Sequence, residues 1–252
     1  MILRSTFNSN PDQYEKSRPK YPEDIFKEIS RFKRIDEGTE ILEIGCGTGI
    51  ATELFAGSNA NILCTDIGNE LISMAKEKFR AMKNISFLSG EYESLEINRK
   101  FDLIYSATAY HWIKQPEGDL KTMNLLKKDG IFAVFRYIHT NREEGYFKES
   151  QQIYAKYFPE QSPKIESKEL INREKFNIIH RKEYPWSVVY SSKEYISLIS
   201  TFSDHLSLKE NKRKKLFSEL KTLIDTRYEG KIRKKYITVL ELGKVKNKKE
   251  NA

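Results

Sequence analysis

Apolar residues recur along this chain in two rhythms, and the two alternate. Short apolar runs close at a glycine or at small and polar residues: TEILEIG (39–45), NILCTDI (61–67), NISFLSG (84–90), FDLIYSA (101–107) and IFAVFRY (131–137). Runs of that length read as strands buried on both faces. Before and between them the spacing widens to that of a helix. PEDIFKEISRF (22–32) has apolar residues at 25, 26, 29 and 32 behind Pro22 and two acids. Residues 48–57 place Ile50, Ala51, Leu54 and Phe55 on one face, with Thr48 able to cap the first turn. Residues 69–81 do the same with Leu71, Ile72, Ala75 and Phe79. Residues 117–128 follow with Leu120, Met123 and Leu125 or Leu126, stopped by Asp129-Gly130.

Strands alternating with amphipathic helices predict an α/β fold of βαβ units around a parallel sheet. Right-handed crossovers would put helices on both faces. After Tyr137 the pattern loosens, and residues 140–180 predict helical and loop material laid over the sheet. FNIIHRKEYPWSVVY (176–190) reads as a strand broken at Pro185, since proline cannot donate into a central ladder. Helices are expected at 192–202 and 209–226. KYITVLELGKV (235–245) alternates as a final strand.

Composition adds limits. The chain has 252 residues, 38% hydrophobic and 32% charged, enough to bury a core in one domain with an insertion. The net charge of +8 suggests nucleic acid until it is located. Residues 40–136 hold 13 acids and 11 bases, so the excess lies in KENKRKK (209–215), KIRKK (231–235) and the tail KVKNKKENA (244–252). Those runs read as a solvated helix face and a frayed end; the alternative is a surface for RNA or anionic lipid. Cys46 and Cys64 stand in no metal-like or redox spacing, and four dispersed histidines form no local zinc motif. There is no apolar run long enough for a membrane span and no leader-like start, so a cytoplasmic protein is expected.

The chemistry centres on ILEIGCGTGI (41–50). Glycine is needed where the backbone turns with positive φ or a ligand presses on the main chain. Gly45, Gly47 and Gly49 fall between a strand and a helix, where open α/β sheets place their ligand crevice. Asp66 ends the next strand, 21 residues after Gly45, where an acid can accept from ribose hydroxyls. Taken singly, the turn could be a tight βα connection and Asp66 a helix cap. The dinucleotide fingerprint needs a glycine where this chain has Ile50, and the phosphate loop's lysine is missing. An adenosine compound without pyrophosphate fits better.

ILEIGCGTG resembles the first motif of the class I S-adenosylmethionine (SAM)-dependent methyltransferases, with an acid two residues before GxGxG. YEKSRPKYP (14–22) and SATAYHWI (106–113) are similar to stretches of the small-molecule subgroup that includes trans-aconitate methyltransferase. The resemblance covers about residues 10–137. It implies a Rossmann-like, seven-stranded, mostly parallel sheet with helices on both faces, an antiparallel last strand and a helical insertion after the fifth. It implies one domain over 1–252: a SAM-binding core at 36–137, with the segment 1–35 and the insertion 138–205 covering the substrate. Glu43 would help hold the methionine part of SAM. The turn Gly45, Cys46, Gly47, Thr48 and Gly49 would pass beneath it, Asp66 would bind the ribose and Ile67 would pack on the adenine. Glu91 stands where the family often has an aspartate near the adenine amine. Ser106 and Ala107 would line the methionine side. Tyr14 and Arg18 become candidates for the SAM carboxylate or the substrate.

Methyl transfer mainly requires an acceptor aligned with the S–CH₃ bond and water excluded. A carboxylate acceptor needs no base. For a phenol, hydroxyl or amine His111 is the candidate, with Tyr14 a second catalytic candidate; the alternative is that His111 only packs beside Trp112. The expected partner is a small molecule, carboxylate or aromatic, with S-adenosylhomocysteine as product. The chain itself would be a monomer or homodimer. An RNA methyltransferase using the basic third and a non-catalytic SAM-binding module are the alternatives.

Overall fold

The computed structural model describes residues 11–158 and 169–246. The start at 1–10 and the tail at 247–252, on which the leader and fraying expectations bear, lie outside the described residues. Two helices, α1 (Pro11–Ser17) and α2 (Asp24–Phe32), lead into β1 (Glu40–Ile44). There follow α3 (Thr52–Ala56), β2 (Asn61–Asp66), α4 (Asn69–Lys78), β3 (Ile85–Ser89) and β4 (Phe101–Ala107). A 3-10 turn (Tyr110–Trp112) precedes α5 (Glu117–Leu125) and β5 (Leu126–His139). The remainder is α6 (Gly145–Tyr157), β6 (Phe176–Ser191), α7 (Ser192–Ile199), α8 (Ser203–Leu206), α9 (Glu210–Arg227) and β7 (Lys231–Val245). No helix of the described residues is long and apolar enough to cross a membrane.

The seven strands form one sheet in the order β3-β2-β1-β4-β5-β7-β6. β1 pairs in parallel with β2 and β4, β2 with β3, and β4 with β5. The last strand is antiparallel. The Lys246 N–H donates to the Lys175 carbonyl and the Ser192 N–H to the Gly230 carbonyl, so β6 begins where β7 ends.

The chain divides into two compact units. The first comprises residues 20–137, 168–184 and 238–252; the second comprises 1–19, 138–167 and 185–237. Strands β5, β6 and β7 contribute to both. In the first unit β1, β2 and β4 are buried on both faces, as their unbroken apolar runs require, whereas in β3 only Ile85 is buried. Ile41, Ile62, Leu103, Tyr105 and Phe135 pack with Phe55 and Ile25 in one core. Leu42, Ile44, Ile104 and Phe132 pack with Tyr110 and Phe176 in the other.

In the second unit α1 is tied to α7, because the Gln13 amide donates to Ser200 Oγ at 2.7 Å. α7 opens with a capping box, Ser191 and Glu194 satisfying each other's backbone N–H. Its interior is aromatic: Tyr146, Phe147 and Tyr195 are buried, and the Tyr146 ring meets those of Tyr195 and Tyr228 edge-on.

Four expectations shift. The helix predicted at 48–57 shortens to 52–56 with Ala51 as its cap, because the three glycines hold residues 45–49 in a turn. The helix predicted at 117–128 ends at Leu125, and Lys127 to Gly130 join β5 with a register irregularity opposite Phe101 and Leu103. Pro185 does not break its strand: β6 lies at the sheet edge, where a missing N–H is tolerated. β7 begins at Lys231 rather than 235, so KIRKK is strand and not a solvated helix face.

Candidate functional site

The glycine turn is built by sterics before any ligand is considered. Gly45, Gly47 and Gly49 have φ of 74°, 56° and 84°, in the left-handed region that disfavours side chains. A Cβ on Gly45 would lie 2.4 Å from the Ala109 methyl, and one on Gly49 would lie 2.4 Å from the Phe79 ring. The turn is held in place by backbone bonds from the N–H groups of Gly45 and Cys46 to the Thr65 carbonyl, at 2.8 and 3.0 Å.

Asp66 joins this turn to the next one. Its Oδ2 accepts from the Gly47 N–H at 2.8 Å and its Oδ1 from the Gly68 N–H at 2.7 Å. Each oxygen keeps a second lone pair, and the residue is partly exposed. Burial nevertheless raises its pKa above the ordinary aspartate value, with the backbone N–H groups opposing the shift. Asp66 therefore brackets helix α4 and also offers acceptors at the carboxyl end of β2. Ile67 beside it is 40% exposed, an apolar surface with no core to cover it.

Glu43 is a buried acid at the centre of the sheet in the first unit. It is fully buried, in register between Cys64 of β2 and Tyr105 of β4. Its Oε2 accepts from Thr52 Oγ1 at 2.5 Å, Tyr105 OH at 2.7 Å and, weakly, Cys64 Sγ at 3.7 Å. Its Oε1 is buried with no hydrogen-bond partner. Burial, the largest cause, raises the carboxyl to about 7, although the three donors favour the charged form. Cys46 and Cys64 are buried and their thiols are pushed up by the same desolvation, so neither is an activated nucleophile. Thr48 is wholly buried within the turn, four residues before the helix begins.

The segment after β4 supplies the facing wall. Ser106 is buried and donates to the Ile44 carbonyl at 2.8 Å, tying β4 to β1. Ala107 closes the strand. Thr108 has φ of 55°, a costly conformation for a β-branched residue. Its Oγ1 accepts from the Tyr21 hydroxyl at 2.7 Å, and the Tyr21 ring packs edge-on against Phe135 with centroids 5.1 Å apart. Tyr21, in the second half of YEKSRPKYP, joins the site through this bond, which the motif by itself does not single out. Tyr21→Phe is expected to cost about 1 kcal/mol of stability by thermal denaturation, since the hydroxyl's bond to Thr108 is lost.

The other predicted residues have partners of their own. Glu91 Oε2 lies 3.5 Å from Lys114 Nζ in a half-exposed pair. His111 is exposed in the 3-10 turn, its ring tilted 5.1 Å from that of Trp112. The buried neighbour is Tyr110, which donates to Asp119 Oδ1 at 2.6 Å, while Asn172 holds Asp119 Oδ2 at 2.8 Å. Tyr14 and Arg18 belong to the second unit. There the Arg18 guanidinium lies 4.9 Å above the Tyr14 ring and 4.6 Å from Phe202, and bonds Thr201 through Nε and Nη2.

The first unit thus brings together a buried acid with a bare oxygen, three glycines and a partly exposed carboxylate. Those acceptors suit a ligand that donates from an ammonium and a vicinal diol. Comparisons with known proteins point to a methyltransferase domain. Residues 42–134 match a family described as a methyltransferase domain. An uncharacterised methyltransferase-like protein of Schizosaccharomyces pombe is 25% identical over 227 residues, spanning 88% of this chain and 86% of that protein. A malonyl-[acyl-carrier protein] O-methyltransferase of Acetivibrio thermocellus is 30% identical over 154 residues, covering 58% of this chain and 53% of its own length. Among solved structures, a candidate type II methyltransferase from Anaeromyxobacter dehalogenans superposes with a TM-score of 0.65 at 16% identity. The match covers 90% of this chain and 97% of that one.

Proposed function

We propose that the chain is a SAM-dependent methyltransferase acting on a small-molecule acceptor, a reading supported by the match of residues 42–134 to a methyltransferase domain family and by the fold. SAM binding at the glycine turn is part of the same proposal. The observation that carries it is the join between Asp66 and Gly47, which sets a carboxylate with spare lone pairs beside the turn. Asp66 would hold the ribose hydroxyls, Gly45 to Gly49 would let the ligand lie against the main chain, and Ile67 would cover the adenine face. Glu43 would offer its bare Oε1 to the methionine ammonium, and Ser106 and Ala107 would line that end. Bound SAM supplies a methyl group made electrophilic by the sulfonium.

The chain's share of the work is alignment and exclusion of water, worth up to roughly 7–11 kcal/mol in oriented reactions. Tyr21 fixes Thr108 in its unusual conformation and so shapes the wall that follows β4. A carboxylate acceptor needs no base, and the A. thermocellus relative is named as a malonyl-[acyl-carrier protein] O-methyltransferase. For a protonated acceptor, His111 is the imidazole at the carboxyl end of β4. Small-molecule chemistry is also supported by the burial of both cysteines, which leaves no thiol for covalent attack on a nucleobase.

Calorimetry tests the reading directly. SAM is expected to bind the wild-type protein, and Asp66→Ala to weaken it by about 30-fold, from the loss of the ribose acceptors and of the Gly47 tie. Well-folded wild-type protein that binds neither SAM nor S-adenosylhomocysteine would end the proposal. Turnover on a panel of small acids, phenols and amines separates an enzyme from a module that only binds SAM.

A further inference from the structure

The first unit buries a carboxylate that no cation accompanies. Asp119, in the first turn of α5, is 1% exposed, and no lysine, arginine or histidine among the described residues pairs with it. Its partners are neutral donors. The Tyr110 hydroxyl donates to Oδ1 at 2.6 Å and the Asn172 amide to Oδ2 at 2.8 Å. Asn172 is itself oriented, because its Oδ1 accepts the Glu174 N–H at 2.9 Å and so turns Nδ2 toward Asp119. One turn further along α5, Thr122 is wholly buried and meets the Tyr92 hydroxyl at 3.0 Å. One face of α5 thus holds the residue after Ala109, the residue after Glu91 and the lead into β6. All of these residues belong to the first unit.

A buried carboxylate costs free energy that an apolar side chain of the same size would not. What it adds is direction, since bonds at its two oxygens fix a phenol and an amide in one arrangement. That arrangement bears on the segment after β4. Ala109 stands so close to the glycine turn that a Cβ on Gly45 would collide with its methyl. Thr108 before it is held by Tyr21, and Tyr110 after it by Asp119. The 3-10 turn that carries His111 and Trp112 closes on the same residues. The carbonyls of Ala109 and Tyr110 accept the N–H groups of Trp112 and Ile113 at 2.9 and 3.0 Å. Helix α5 abuts that turn, since a Cβ on Gly118 would collide with Ile113 Cγ2.

We propose that Asp119 is a positioning residue for the cofactor site: through Tyr110 and Asn172 it sets residues 108–112 against the glycine turn at Gly45. It acts through the wall that Ala109 and the 3-10 turn form, and not on the cofactor itself. The latch stands on its hydrogen bonds; its effect on cofactor affinity rests on the reading of the turn as a SAM site.

Calorimetry with S-adenosylhomocysteine and the fluorescence of Trp112, both on the full chain, test the assignment. Fluorescence is read in a Trp186→Phe background, since the chain has two tryptophans. Asp119→Asn keeps the shape but puts one donor too many between Tyr110 and Asn172. It is expected to weaken S-adenosylhomocysteine binding about tenfold and to shift Trp112 emission to longer wavelength. The reciprocal swap, Asp119→Asn with Asn172→Asp, restores an acceptor for each donor and should return both readouts toward wild type. Asp102→Asn loosens the far end of β4, where Asp102 pairs with Lys33 and Lys127, and controls for lost stability. It should melt at a lower temperature and leave both readouts unmoved. The proposal fails if folded Asp119→Asn matches wild type in either readout, if the swap recovers neither, or if Asp102→Asn moves them equally. Should Asp119→Asn not fold, Tyr110→Phe opens the other end of the latch and must move both readouts in the same direction. Wild-type protein that binds no S-adenosylhomocysteine ends the SAM reading, and Trp112 emission then decides by itself whether the latch stands.

Discussion

Glu241→Ala is expected to lower folding stability by about 3 kcal/mol, the largest loss foreseen for a single side chain in the first unit. Glu241 is wholly buried on β7. Its Oε2 accepts the N–H groups of Leu170 and Ile171, both at 3.2 Å. Arg173 grips both oxygens at 2.6 and 2.7 Å, and Arg181 adds a further bond. Burial opposes the charge, but the arginines overcome it and hold the carboxyl below the usual glutamate range. Alanine would leave two backbone donors unpaired and Arg173 facing an empty site. The guanidinium groups are about one-third exposed, so water recovers part of the cost. Urea unfolding monitored by circular dichroism measures the change; a loss below 1 kcal/mol would contradict this account. Glu241→Gln keeps an acceptor for the backbone donors and is expected to lose less.

Glu43 predicts a pH dependence of similar size and opposite sense from the usual carboxylate. Its folded pKa is about 7, against 4.5 for an ordinary glutamate. Below pH 4.5 it is protonated in both folded and unfolded chains and costs nothing. Between 4.5 and 7 the unfolded chain ionises while the folded one must stay protonated, so stability falls as pH rises. Above 7 the loss is complete, at about 3 kcal/mol. Glu43→Gln removes this titration whatever constant cost the amide brings. The stability difference between wild type and Glu43→Gln should therefore move by about 3 kcal/mol between pH 4.5 and 8, with wild type favoured at the acid end. Denaturant titrations of both proteins at the two pH values check it, and parallel pH curves would rule it out.

Much of the sheet was legible because its strands are short apolar runs punctuated by polar residues. FDLIYSA coincides with β4, β2 ends one residue short of its sequence range, and β1 and β3 are one residue shorter at each end. The antiparallel last strand was implied only by family resemblance. The glycine turn and Asp66 could be read from spacing, since positive φ and strand ends leave marks in sequence. Less visible was how Asp66 divides its lone pairs between Gly47 and Gly68, because hydrogen bonds between turns depend on register.

Charge was the weaker guide. KIRKK was grouped by composition as a solvated run, whereas carrying the alternation of KYITVLELGKV back four residues puts Ile232 and Lys234 on the buried side. The same alternation does not find Glu241. Val239 through Leu242 are buried in succession, so this part of β7 lies between two cores and period two loses its meaning. Tyr21 was missed for another reason: its partner Thr108 sits 87 positions away, and no local pattern links them.

Pro185 has a consequence beyond the continuity of its strand. A sixteen-residue strand at the margin of a sheet is a template on which another chain could crystallise its own backbone. β6 interrupts that invitation midway with an imino acid, and Arg181, Lys182 and Glu183 stand exposed just before it. An incoming strand would find a missing rung and a row of charges to desolvate. The feature that looked like a fault in the strand acts as a gatekeeper against fibrous self-association.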